Sequence, residues 1–258
     1  MTDAHTPRPA MGTVSEADGP EARLRALIAQ QEAFSHGVSH DLRGPLRMIE
    51  HAAANALEAI KAGRDEEAAA GLSRIREATA RMGALMEAMQ EYMRIGRTAF
   101  APQALDLSLL ADWATMDLDA RHPRLDLRVE VQPGMRAYGD EALLRRLFDL
   151  LLDNARRFAE PSRGVEIRVE ADAQPDGVVV RVSDRGIGME LRRGVDPFAP
   201  FQRLHSVRQG AGDGLGLAIA RAIVERHGGC IHAQSMPGEG TVIVVGLPAA
   251  SGDGPRPL

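Results

Sequence analysis

The sequence predicts an α plus α/β architecture: an antiparallel helical hairpin that pairs with a second copy as a dimeric four-helix bundle, followed by a two-layer α/β sandwich. Three observations carry this. Residues from about Glu21 to Arg97 are helix-forming, nearly free of Gly and Pro, and space their apolar residues by threes and fours. After Pro102 the period drops to two over short runs such as Val165-Glu-Ile-Arg-Val-Glu170. Helical stretches lie between those runs, the pattern of helices laid on a sheet.

Taken in chain order, residues 1–20 are rich in Pro, Gly, Thr and Asp without periodicity and predict a disordered lead-in. The hairpin spans 21–97. Its first helix carries the stripe Leu24, Ile28, Phe34, Val38, Leu42, Leu46, Ile49, Leu57 and Ile60; its second carries the heptad seam Leu72, Ile75, Thr79, Met82, Met86, Met89 and Met93. Ala62-Gly63-Arg64-Asp65 supplies the turn. A lone hairpin leaves much of these stripes wet, so a homodimer is expected. The sandwich spans 102–248, with helices at about Ser108–Arg121, Asp140–Phe158 and Leu215–His227. Strands are expected at Leu127–Val131, Val165–Glu170, Gly177–Ser183, Cys230–Ser235 and Val242–Leu247. Residues 249–258 predict a disordered tail.

Composition narrows the function. Of 258 residues, 44% are hydrophobic and 26% charged, so a sizeable core can form. The net charge of -5 and the absence of a lysine-rich run argue against nucleic acid as a partner. A single cysteine, Cys230, fits a reducing compartment. There is no apolar run of membrane-spanning length and no signal peptide, so a cytoplasmic location is expected.

His40 lies within Phe34-Ser-His-Gly-Val-Ser-His-Asp-Leu-Arg-Gly-Pro-Leu46. Val38 and Leu42, four apart, share one stripe, and a two-residue step turns a helix by about 200°. The His40 ring therefore points to solvent. Asp41 can hold one ring nitrogen and leave the other as nucleophile. Pro45 removes a backbone donor and is expected to bend or loosen the helix after the site. An isolated histidine of this kind is usually an ordinary surface residue, and His36 is read so. The whole segment, however, resembles the H-box of the dimerisation and phosphotransfer domain of histidine kinases. Gly44 replaces the Thr or Asn usual in that family, which implies weak phosphatase activity.

Three further segments resemble, in order and spacing, the ATP site of the GHKL (Bergerat) fold. In Leu147-Phe-Asp-Leu-Leu-Leu-Asp-Asn-Ala-Arg-Arg-Phe158 the resemblance makes Asn154 the Mg²⁺ ligand and Arg157 a phosphate contact. Leu150 stands where kinases have Asn and hydrolysing relatives have Glu, which argues against efficient ATP hydrolysis. Asp184-Arg-Gly-Ile-Gly188 offers a carboxylate for an adenine amino group, with Gly186 and Gly188 allowing close backbone approach. Gly212-Asp-Gly-Leu-Gly-Leu217 opens a helix, and Gly212, Gly214, Leu215 and Gly216 offer amides to phosphate. Between them, Phe198-Ala-Pro-Phe-Gln-Arg-Leu-His205 resembles an F-box and ATP lid, most like those of phytochrome-associated kinases. There Ala199 replaces a frequent Glu and Arg203 is a candidate γ-phosphate contact.

The resemblance implies an ATP- and Mg²⁺-dependent kinase that phosphorylates His40 and passes the group to an aspartate of a response-regulator receiver. Its input is expected either from a separate sensor protein or from something the helical bundle itself senses. Leu150 and Ala199 keep open a degenerate phosphotransfer scaffold with little use of ATP. A GHKL ATPase of the gyrase or chaperone kind is disfavoured by Leu150 and by the H-box.

Overall fold

The computed structural model describes residues 20–160, 162–191, 194–202 and 214–249, with side chains from residue 37 onward. The expected disordered ends lie outside these limits except at their inner residues. Pro20 already begins a helix, and Ala249 donates its N–H to the Asp176 carbonyl (2.8 Å), extending by one residue the strand pairing that ends at Gly177 and Pro248.

Two long helices come first: α1 (Pro20–Lys61) and α2 (Asp65–Ile95). Gly63 turns the chain with φ +69, a conformation that favours glycine. α1 stays helical through Pro45. The ring there removes only the bond to the Asp41 carbonyl, so the expected loosening does not break the helix. The two helices meet through small residues. Ala52, Ala56 and Ala59 of α1 face Ala68, Gly71 and Ala78 of α2, all buried. A Cβ at Gly71 would stand 2.9 Å from that of Ala56. The seam expected at the larger residues is thus not the contact within the chain; Leu57, Ile60, Leu72, Met86 and Met93 stay exposed.

The α/β part follows as β1 (Pro102–Asp106), α3 (Leu107–Arg121), β2 (Leu127–Val131), β3 (Arg136–Asp140) and α4 (Glu141–Arg157). It ends with β4 (Val165–Gln174), β5 (Gly177–Asp184), α5 (Gly216–Arg226), β6 (Cys230–Met236) and β7 (Gly240–Pro248). Asp106 and Asp140 start α3 and α4 by accepting the N–H of Leu109 and Leu143. The main sheet has five strands in the order β2-β4-β5-β7-β6, with β2 and β4 parallel and the other pairs antiparallel. Alternation directs Val165, Ile167 and Val169 of β4, Val178, Val180 and Val182 of β5, and Ile243, Val245 and Leu247 of β7 into one core. Leu144, Leu147, Phe148, Leu151 and Leu152 of α4 and Ile219 and Ile223 of α5 fill it from the helical layer.

β1 and β3 form a separate antiparallel ribbon that the sequence reading left out. The hairpin joins the sandwich directly: Leu42, Ala88, Met89 and Tyr92 pack on the core, and the Glu91 carboxylate accepts from Nε and one terminal nitrogen of Arg146 at 2.5 and 2.8 Å.

Candidate functional site

His40 and Asp41 sit on α1 as the helical period requires. The side chain of His40 is 77% exposed and that of Asp41 8%. His40 Nδ1 lies 3.0 Å from Asp41 Oδ1, a contact that in the neutral ring places the proton on Nδ1 and leaves the Nε2 lone pair uncommitted. Val38 and Leu42 are half-buried on the other side.

Asp184 ends β5 on the inward side, in register with Ile167 of β4 and Thr241 of β7. It continues the row of Val178, Val180 and Val182, so a carboxylate stands where the core begins. Burial pushes its pKa up to about 6, against the N–H groups of Gly186 and Thr241, which favour the charged form. The Gly186 donation measures 2.8 Å.

The loop after Asp184 is clasped on both sides. Ile187 donates its N–H to the Phe158 carbonyl beyond α4, and its own carbonyl accepts from Gly238 in the β6–β7 turn, both at 2.8 Å. The glycines are what allow this. A Cβ at Gly186 would lie 2.2 Å from the Phe158 oxygen, and one at Gly188 1.9 Å from that of Met236.

On α4, Asn154 is half-buried, with no side-chain hydrogen bond to another described residue. Arg157, by contrast, is engaged: its Nε donates to Asp153 at 2.7 Å, and Arg156 donates to the same carboxylate. Burial disfavours ionised Asp153, but Arg157 and Arg156 outweigh it and hold the carboxyl below its ordinary value. Leu150 lies against the start of α5, its Cδ2 3.9 Å from a Cβ placed on Gly216.

Gly214 (φ +72) and Gly216 open α5, whose first turn has no side-chain cap and leaves amides for an anion. Leu215 is fully buried, so it can offer a ligand its backbone only. Gly212 and Arg203, with Leu204 and His205 of the lid string, lie outside the described residues. Before that gap, Asp196 binds Arg221 of α5 at 2.6 and 2.7 Å and Phe198 is buried under the same guanidinium. Phe201 donates its N–H to the Gly214 carbonyl at 2.9 Å.

Sequence reasoning missed the Phe158 carbonyl, Thr241, Gly240 and Phe201. Phe158 and Phe201 stood inside the sequence motifs without an assigned role, and Gly240 lies in the Gly238-Glu-Gly240 hairpin-type turn between the last two strands. Gly240 has φ +98, and a Cβ there would lie 2.1 Å from the backbone carbonyl oxygen of Asp184, which makes it part of the Asp184 scaffold.

Residues 139–251 match the family described as histidine kinase-, DNA gyrase B-, and HSP90-like ATPase. The C4-dicarboxylate transport sensor protein DctB of Rhizobium meliloti is 31% identical over 233 residues, 89% of this chain and 36% of the relative. The sensor protein kinase PmrB of Pseudomonas aeruginosa is 29% identical over 95% of this chain and 51% of its own length. The phytochrome-like protein Cph1 of Synechocystis is 28% identical over 87% and 30%. The chain thus spans between about a third and a half of these relatives. Among solved structures, the Acinetobacter baumannii histidine kinase AdeS shares the fold (TM-score 0.59, 16% identity, 82% of this chain and 98% of that one). Full-length ShkA, in complex with AMPPNP, gives a TM-score of 0.52 at 20% identity over 86% of this chain and 47% of that one.

Proposed function

Since the chain belongs to the sensor histidine kinases and carries their ATPase domain, we propose that it transfers the γ-phosphoryl group of ATP to His40 and then to an aspartate on a separate receiver. Residues 21–97 would serve as the dimerisation and phosphotransfer domain and 102–248 as the catalytic ATP-binding domain. The protein would act in the cytoplasm, taking its input from another protein. No helix among the described residues is long and apolar enough to cross a membrane.

One observation carries the reading: a solvent-facing imidazole whose Nδ1 is held by Asp41, on the same polypeptide as the clasped Asp184 loop. Asp184 would accept the adenine amino group, with Gly186 and Gly188 letting the base approach. The amides of Gly214, Leu215 and Gly216 would meet the phosphates, joined by Gly212, Arg203 and Arg157, the last on exchanging Asp153 for phosphate. Asn154 fits a magnesium ion, since its amide is uncommitted to the described residues, and that ion would neutralise phosphate charge. Among the described residues no cluster of three or more His, Cys, Asp or Glu could hold a metal, so its remaining ligands would come from phosphate and water. The chain's own work is orientation: Asp41 sets the imidazole tautomer, and the fold presents the nucleophile.

Incubation with γ-labelled ATP and Mg²⁺ tests this. Acid-labile label on the wild type and none on His40→Gln is the expected result, with nucleotide affinity equal in the two. The packing of Leu150 on α5 favours a second reading, a phosphotransfer scaffold that uses ATP poorly. Label arriving only from another phosphorylated protein would select it.

A further inference from the structure

Gly37 lies on α1 one turn before His40, and its missing side chain is occupied. A Cβ there would stand 2.2 Å from Cδ2 and 2.8 Å from Cγ of Phe201. Real Cβ atoms do not come so close, so the Phe201 ring fills the space of any larger residue at position 37.

Phe201 is built to reach that place. Its φ is +63, in the left-handed region disfavoured for a bulky side chain. Its N–H is bound to Gly214, and a Cβ on Gly214 would lie 2.9 Å from Phe201 Cα and C. Just before it, Asp196 and Phe198 fix the segment to α5 through Arg221. The residue therefore touches the turn that opens α5 through its backbone and the His40-bearing helix through its ring. Both contacts lie within one chain.

We propose that Phe201, seated in a socket made by Gly37, is a positioning residue that sets the Gly214 turn against His40 of its own chain, so that phosphoryl transfer runs within a chain and not between partners. The inference rests on the reading of His40 as acceptor and adds how the donor is aligned. In the step itself the Nε2 lone pair forms a bond to the γ-phosphorus as the bond from that phosphorus to the β–γ bridging oxygen breaks. The electron pair leaves with ADP, and Asp41 takes the Nδ1 proton.

Two measurements test it on the full chain. Gly37→Ala improves intrinsic helix propensity, so a merely structural role predicts undiminished activity. We expect His40 labelling to slow about tenfold or more, because small misplacements of reacting groups are costly. Affinity for a fluorescent ATP analogue should be unchanged, and adding Phe201→Leu, which shortens the intruding side chain, should recover part of the rate. Labelling of Gly37→Ala at the wild-type rate, a parallel loss of nucleotide affinity, or no recovery in the double variant overturns the contact.

For direction, His40→Gln and Asn154→Ala chains are co-expressed with different tags and incubated with labelled ATP. Neither should be labelled; label on the Asn154→Ala chain means transfer between chains and overturns the proposal. A wild type that takes no label removes the acceptor reading itself, an outcome separate from all of these.

Discussion

At the scale of single residues, Asp184 is held in a state that suits a ligand better than the fold. Its folded pKa, about 6 through burial, lies above the ordinary carboxylate range. A raised folded pKa means that protonation favours the folded state. The penalty for the charged form is absent below about pH 4 and fully present above about pH 6. Asp184→Asn should therefore raise the melting temperature at pH 8, and the gain should vanish at pH 4. The same change should weaken adenine nucleotide binding about tenfold to a hundredfold, the range for losing a hydrogen bond to a charged group. Wild-type affinity should fall as pH drops through 6, and the variant's affinity should not follow it. Calorimetric melts and titrations across pH check both signs, and a variant that melts lower at pH 8 would refute the account of burial.

Secondary-structure elements were legible where local pattern and tertiary role agree. Val165–Glu170 and Gly177–Ser183 alternate because one face is buried, and both appear as strands of the sheet. The segments Pro102–Asp106 (PQALD) and Arg136–Asp140 (RAYGD) carry no such alternation. They become strands only by pairing with each other, in a register that sets Pro102 opposite Asp140. The Gly37–Phe201 contact was hidden for a related reason, since a glycine in a helix shows nothing of a ring arriving from far along the chain. The Asp184-Arg-Gly-Ile-Gly188 loop was visible as a motif, yet the atoms that dictate its glycines, the carbonyls of Phe158 and Met236, were not. This separates two glycine substitutions. Gly186→Ala forces the Phe158 carbonyl aside and should destabilise by about 1–3 kcal/mol in urea unfolding. Gly44→Ala meets nothing within 4 Å on a helix and should stabilise by up to about 1 kcal/mol. Equal effects would mean that the loop yields more easily than its two backbone clasps imply.

For the molecule as a whole, the open question is what covers the hairpin. Its internal contact is made mainly by small residues, Ala52, Ala56, Ala59, Ala68, Gly71 and Ala78, which bring the helices close. The larger residues are left outside: Leu57, Ile60 and Leu72 are 59%, 57% and 57% exposed, with Met86 and Met93 further along α2. Burying such a side chain contributes about 1.5–3 kcal/mol, and a twofold axis counts each residue twice. These side chains are already about half covered, so the five of them counted twice supply roughly 7–15 kcal/mol, of the order of the estimated cost of association, roughly 4–15 kcal/mol. We therefore predict a dimer with twice the 27.8 kDa chain mass by light scattering at micromolar concentration. Leu57→Glu combined with Leu72→Glu places unpaired carboxylates on that surface and should yield monomers. The sandwich, whose core lies elsewhere, should keep its unfolding transition and its nucleotide affinity. Monomeric wild-type protein at those concentrations would show that the exposed stripe serves something other than a second copy. Loss of nucleotide affinity in the monomer would show instead that the sandwich depends on the bundle.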